Sequence, residues 1–229
     1  MNNKLILQLE TATTMCSVAL VRDGEILALK ELNERNVHAS QITLFIDEVM
    51  KSAGKNYKDL DAISVSKGPG SYTGLRIGVS TAKGLCYGLD VPLISVDTLE
   101  AMAFGLLESN PDIAPSSLLC PMIDARRMEV YTAIFDTALK PVETVNAKVL
   151  DEQSFVKHLD KHQVVFFGDG AAKCLPLYSH HPNFRFIEFQ NSAAHMSSIS
   201  LQKLEDGQIE NMAYFEPFYL KDFIAGSPK

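Results

Sequence analysis

The sequence predicts an α/β protein made of two similar lobes with a cleft between them, and three observations carry that expectation. Short runs of β-branched and apolar residues alternate with stretches of helical period. Their order, three strands, a helix, a strand, a helix, a strand and a helix, occurs twice along the 229 residues. Each half opens on a strand that ends in a carboxylate, Glu10 in LETATT and Asp124 in IDARR, before the chain reverses.

The elements follow in order. LILQLE, the polar turn TATT, MCSVALV, an Asp23-Gly24 hairpin signal and EILALKEL read as three meandering strands. From His38, the spacing of Ile42, Phe45, Ile46, Val49, Met50 and Ala53 predicts a helix that stops at Gly54. DAISVS is a strand, SKGPGSYTG a loop opening a second helix, VPLISV a strand, and a third helix runs from Asp97 to about Glu108. SLLCPMID, MEVYTAIF and PVETVNAKVL then form three strands. Helices at DEQSFVKHLD, AAKCLPLYS and SSISLQKLE alternate with the strands QVVFFG and FRFIEF. The expected division is a first lobe over 1–108, joined by the C-terminal helix and tail from about 195 to 229, and a smaller second lobe over 109–194.

Composition narrows the function. A hydrophobic content of 46% supplies a packed core, while a net charge of −7 argues against a broad nucleic-acid footprint, so any RNA contact is expected through a partner. No run approaches the ~18 apolar residues of a membrane span. MNNK lacks a basic leader, so a cytoplasmic protein without membrane attachment is expected. Cys16, Cys86, Cys120 and Cys174 are scattered without CxxC spacing and read as reduced and buried.

The loop Gly68-x-Gly70-x-x-x-Gly74 lacks the Lys of a Walker-type phosphate cradle and misses the GxGxxG spacing by one residue. Two readings stay open: an anion site at a helix start, or a tight turn capped by Ser71 or Thr73. In the following helix, Leu75, Val79, Ala82, Cys86 and Leu89 form a core stripe. Beside it runs a small-residue stripe, Gly74, Gly78, Thr81, Leu85 and Gly88. With Gly84, the interior glycines forfeit roughly 3–4 kcal/mol of helix propensity. Close packing within the lobe, or close approach of a helix from another subunit, would offset that.

Two enzyme readings compete. A kinase would use Glu10, Asp124 and the turn Gly168-Asp169-Gly170-Ala171, with hydroxyls from Thr11, Thr13 and Thr14. Both LETATT and IDARRMEV lack a glycine where backbone would meet phosphate, so a degenerate cleft is expected, with weak nucleotide binding at most and no required cofactor. Arg126 and Arg127 are expected to pair across the turn with Glu129, the alternative being a phosphate, RNA or acidic partner; Arg76, near Lys83, is a solvated charge or a contact residue. A metallopeptidase would need clustered ligands, and His158-x-x-x-His162, His180-His181 and His195 all read as nonmetal.

ILQLETATTMCSVAL, the HASQ helix start, SVSKGPGSYTGLRIGVSTAKGL, PLISVDTLEAMA, PMIDARRMEVY, FFGDGAAK and EPFYLKDF resemble, in order, the TsaB (YeaZ) family of bacterial tRNA threonylcarbamoyladenosine synthesis. The resemblance implies two ribonuclease-H-like lobes of the actin/hexokinase/Hsp70-like fold. It also implies a noncatalytic role: binding the synthase TsaD with the ATPase TsaE, for threonylcarbamoyl transfer to adenosine of ANN-decoding tRNAs. TsaD holds metal on an HxxxH helix, whereas here His38 is followed four residues on by Ile42. The first two helices would pair with TsaD, or with a second copy in isolation. That selects the subunit reading for Gly74, Arg76, Gly78, Thr81, Leu85 and Gly88, with Leu44 on the first helix beside them.

Overall fold

A computed structural model describes residues 3–221. The first half forms a five-stranded sheet in the order β3-β2-β1-β4-β5, from β1 (Leu5–Glu10), β2 (Met15–Arg22), β3 (Glu25–Asn33), β4 (Ala62–Gly68) and β5 (Leu93–Asp97). The second half repeats it as β10-β9-β6-β7-β8, from β6 (Leu118–Asp124), β7 (Glu129–Phe135), β8 (Pro141–Val149), β9 (Val164–Phe167) and β10 (Phe184–Ile187). In each sheet the first three strands are antiparallel, and the other two run parallel to the first. The internal repeat inferred from element order is therefore real at the level of topology. At the β2–β3 hairpin both Asp23 and Gly24 have positive φ, 49° and 86°, the backbone an Asp-Gly turn supplies.

Helices α1 (His38–Ser52) and α2 (Tyr72–Leu89) cover one face of the first sheet. Alternation explains the contact: Leu5, Leu7 and Leu9 of β1 and Ile63 and Val65 of β4 join Ile42, Phe45 and Ile46 of α1 and Val79, Ala82 and Cys86 of α2. The opposite face is more polar. There Ser197 donates to Gln8 at 3.3 Å, Ser64 and Ser200 share a 2.7 Å hydrogen bond, and Ser66 donates to Glu10 at 3.0 Å. This column seats α6 (Ser197–Glu205), whose Leu201 and Leu204 pack on Ile6, Ala62 and Ile94.

The two halves exchange their last helices. Helix α3 (Thr98–Ser109), which ends the first half, lays Leu99, Met102 and Leu106 on Leu119, Ile123, Val165 and Phe167 of the second sheet. Helix α6 returns from the second half to the first sheet, so each lobe is closed by both halves of the chain. Helices of the second lobe are short: α4 is only Val156–Leu159, and the AAKCLPLYS segment divides into a 3-10 turn at Ala171–Cys174 and α5 (Leu175–Tyr178). The expected helix over DEQSFVKHLD is mostly turn, because Ser154 and Asp151 hydrogen-bond each other and the adjoining backbone. Aromatic packing fills the space, with Phe155 edge-on to Phe166 at 5.2 Å and Phe184 stacked on Phe166 at 5.1 Å.

Candidate functional site

Glu10 ends β1 at the turn where the kinase reading places its first carboxylate, but only 1% of its surface is exposed. Its Oε1 accepts the Ala12 N–H at 2.6 Å and the Ser66 hydroxyl at 3.0 Å, and the buried side chain of Asn191, in the segment leading back to α6, lies near enough to favour its charged form. Burial, opposed by these hydrogen bonds, pushes its carboxyl up to about 7. The acid is folded onto its own turn. Of the hydroxyls grouped with it, Thr11 is fully buried, its Oγ1 without a hydrogen-bond partner among the described residues. Thr13 Oγ1 accepts the Met15 N–H, and Thr14 donates to Asn33 at 2.6 Å.

The glycine loop after β4 is filled by protein. A Cβ on Gly70 would lie within 3.0 Å of the Ala12 carbonyl, whose oxygen also accepts the Ser71 N–H at 2.6 Å. Gly68, at φ 116°, lets the Phe218 carbonyl approach, and the Phe218 N–H donates to the Lys67 carbonyl at 2.7 Å. Ser71 caps α2 by accepting the Gly74 N–H at 3.3 Å. Of the two readings of this loop, the capped tight turn is the one the geometry adopts, with the irregular segment around Phe218 lying across it.

The same closeness corrects the assignment of Gly74 and Gly78 to a partner contact. Both are buried, and a Cβ at either would lie within 3.0 Å of Thr11, at its carbonyl for Gly74 and its hydroxyl for Gly78. They are small because the β1–β2 turn presses on α2, a contact between segments some sixty residues apart that no helical wheel displays. Leu85 turns toward the lobe core, and Thr81 is half-buried. The exposed ridge of α2 lies one position over, at Thr73, Arg76, Ser80, Gly84, Tyr87 and Gly88. Gly84 and Gly88 face open space, Tyr87 is 80% exposed, and Leu44 on neighbouring α1 is 54% exposed. Arg76 stacks on Tyr72 and donates to its hydroxyl at 2.7 Å, while Lys83 reaches the Phe215 carbonyl.

In the second lobe, Asp124 accepts the Arg126 N–H at 2.6 Å and pairs with Lys173 at 2.8 Å. The Asp124 N–H donates to Asp169 in the glycine turn. Gly168, at φ 97°, and Gly170 pack on Met122 and on the end of β6, so this turn too is spent on its own lobe. Arg126 and Arg127 hold left-handed backbone positions, φ 70° and 48°. Their expected partner Glu129 is taken instead by Lys221, which the tail carries across from the first lobe. The EPFYLKDF segment extends beyond this point, and Asp222 and Phe223 lie outside the described residues.

Glu10 and Asp124 thus sit in separate hydrogen-bonded knots, one per lobe. Sequence reasoning missed Ser66 and Lys173, their side-chain partners. The alternation of Gln8 with Glu10 and of Ser64 with Ser66 was a legible sign of a polar sheet face. His158 pairs with Glu143 at 2.9 Å, His162 faces the Ser116 carbonyl, and His195 lies between Gly105 and Phe189. No three His, Cys, Asp or Glu side chains among the described residues could hold a metal ion together. The four thiols are free and buried, with Cys16 and Cys86 both pushed up to about 11 by burial. Among the described residues no helix is long and apolar enough to cross a membrane.

A family model described as TsaD, tRNA N6-adenosine threonylcarbamoyltransferase, matches residues 26–174. A Haemophilus influenzae protein named tRNA threonylcarbamoyladenosine biosynthesis protein TsaB is 29% identical over 98% of this chain and 96% of its own length. A Bacillus subtilis protein of the same name is 31% identical over 71% of this chain and 70% of its own. Among solved structures, a Pseudomonas aeruginosa protein described as similar to peptidase YEAZ has a TM-score of 0.82 at 21% identity, covering 95% of this chain and all of its own, a likeness of fold. The repeated sheets, the exchanged helices and these relatives agree: the chain belongs to the TsaB (YeaZ) family and has its two-lobed actin/hexokinase/Hsp70-like fold.

Proposed function

We propose that this protein acts in tRNA threonylcarbamoyladenosine biosynthesis as a noncatalytic subunit. It binds a TsaD-type transferase and supports threonylcarbamoyl transfer to tRNA adenosine, with TsaE joining the pair. The observation that carries this reading is the use of the enzyme-like positions as internal glue. Glu10 is buried under Ala12 and Ser66, the Gly68–Gly70 turn is filled by Ala12 and Phe218, and Asp124 is tied to Lys173. A phosphoryl group would have to displace protein at each of them. No cofactor is assigned to the subunit, and tRNA meets it only through the complex.

The docking face we assign is the exposed ridge of α2 with the adjacent side of α1: Leu44, Arg76, Gly84, Tyr87 and Gly88. Open glycines allow a partner helix to approach closely, and an exposed Tyr and Arg are residue types that anchor interfaces. In isolation the same face pairs two copies.

Size-exclusion chromatography of the purified chain mixed with its TsaD tests the reading. A heterodimer is expected, and Leu44→Arg and Tyr87→Arg should each weaken it while leaving circular dichroism unchanged. Undiminished pairing by the double variant would move the face elsewhere. Steady phosphoryl transfer by the purified chain alone would replace the scaffold with a kinase.

A further inference from the structure

A hollow of about 280 Å³ lies between the lobes, at the end of β5 and the start of α3. It is just below the ~300–1,000 Å³ of ordinary small-molecule sites, so its occupant would be small. Leu99 of the first half and Phe135, Leu139 and Val145 of the second supply apolar walls. A larger hollow of about 600 Å³ adjoins it, shares Asp97, Thr144 and Val145, and is bordered by Phe215 and Phe218 of the tail.

Three carboxylates reach the smaller hollow, and two are already neutralised. Asp97 pairs with Lys67 at 3.1 Å. Glu143 holds Lys148 at 3.2 Å, His158 at 2.9 Å and Lys157. Glu100, half-buried on α3, has no hydrogen bond or ion pair among the described residues. Two cations act on it only from farther away: Lys67, which pairs with Asp97, and Lys203, which keeps its charge but donates to the Ser95 carbonyl at 2.8 Å. The Glu100 oxygens keep access to solvent, and a cation seated there would exchange that water for a charge-assisted hydrogen bond while its hydrocarbon covers the apolar walls.

We propose that this hollow is a binding site for one primary ammonium or guanidinium group carried on a short hydrocarbon stem, its charge on Glu100 and its stem against Leu99, Phe135 and Val145. The group belongs either to a free amine or to a lysine or arginine side chain presented by a bound protein. This is independent of the α1–α2 docking face.

Isothermal titration of the full chain tests it. Pentylamine and n-butylguanidine serve as free cations, Nα-acetyl-lysine methylamide as the side-chain mimic, and 1-pentanol as the neutral counterpart. Saturable binding of the cations is expected, about tenfold tighter than the alcohol, the scale of a charge-assisted hydrogen bond. The isosteric Glu100→Gln variant should erase that preference, and Val145→Trp should block every probe. Tighter binding of the lysine mimic than of pentylamine assigns the site to a protein side chain, and the reverse order assigns it to a free amine. Absence of saturation, or a preference that survives Glu100→Gln, overturns the proposal.

Discussion

Replacing Glu10 by Gln should change how stability depends on pH. The carboxyl is raised from its ordinary 4.5 to about 7 because burial outweighs the hydrogen bonds it accepts from Ala12 and Ser66. A raised acid stabilises the fold fully below its unfolded pKa, and that contribution is lost as pH rises through the folded value. At ~1.4 kcal/mol per pH unit, the loss from pH 4.5 to 7 amounts to about 3 kcal/mol, with no further loss above that. Gln keeps the shape and a carbonyl to accept from Ala12 and Ser66, but has no charge to bury. The assay is urea unfolding of both proteins from pH 4.5 to 8.5. The free energy of the wild type should fall by about 3 kcal/mol relative to the Gln variant between pH 4.5 and 7, then run parallel to it. Parallel curves throughout would refute the claim that Glu10 ionises at a buried, unfavourable position.

Other outcomes follow from the packing. Gly74→Ala places a methyl against the Thr11 carbonyl and should lower stability by about 1–3 kcal/mol in thermal or chemical unfolding. Gly88→Ala, facing open space in the same helix, should raise it by about 0.5–1 kcal/mol. Gly78→Leu should disrupt the monomer itself rather than only its pairing, read as lost soluble yield or lost cooperative melting. Phe155→Ala removes a fully buried ring from the second lobe and should cost about 3–5 kcal/mol. Asp124→Asn breaks an ion pair whose acid is 46% exposed, and unfolding should register no more than about 1 kcal/mol.

Much of the architecture was legible in the chain because it rests on local periodicity. The alternation in LILQLE and the i, i+3, i+4 spacing after His38 each report which face a residue must bury, so element type and order could be read directly. The shortened helix at DEQSFVKHLD was misjudged because Ser154 and Asp151 compete for the backbone, a preference that hydrophobic spacing does not register. The candidate site was legible only in part. Glu10, Asp124 and the glycine turns stand out in the sequence as candidate positions, but whether a glycine admits a ligand, a partner or its own chain depends on what stands opposite it.

What the sequence determined by itself is therefore the repeated α/β plan, the stripe that packs α2 on its sheet, and the places where the backbone needs freedom. What only tertiary structure decided is the use of that freedom. Thr11 and Ala12 press on Gly70, Gly74 and Gly78, Phe218 crosses Gly68, and α3 and α6 exchange lobes. These are contacts between residues far apart in the chain, governed by shape and burial rather than by neighbouring residues. They moved the exposed face of α2 by one position, from Gly74, Gly78 and Leu85 to Ser80, Gly84 and Tyr87.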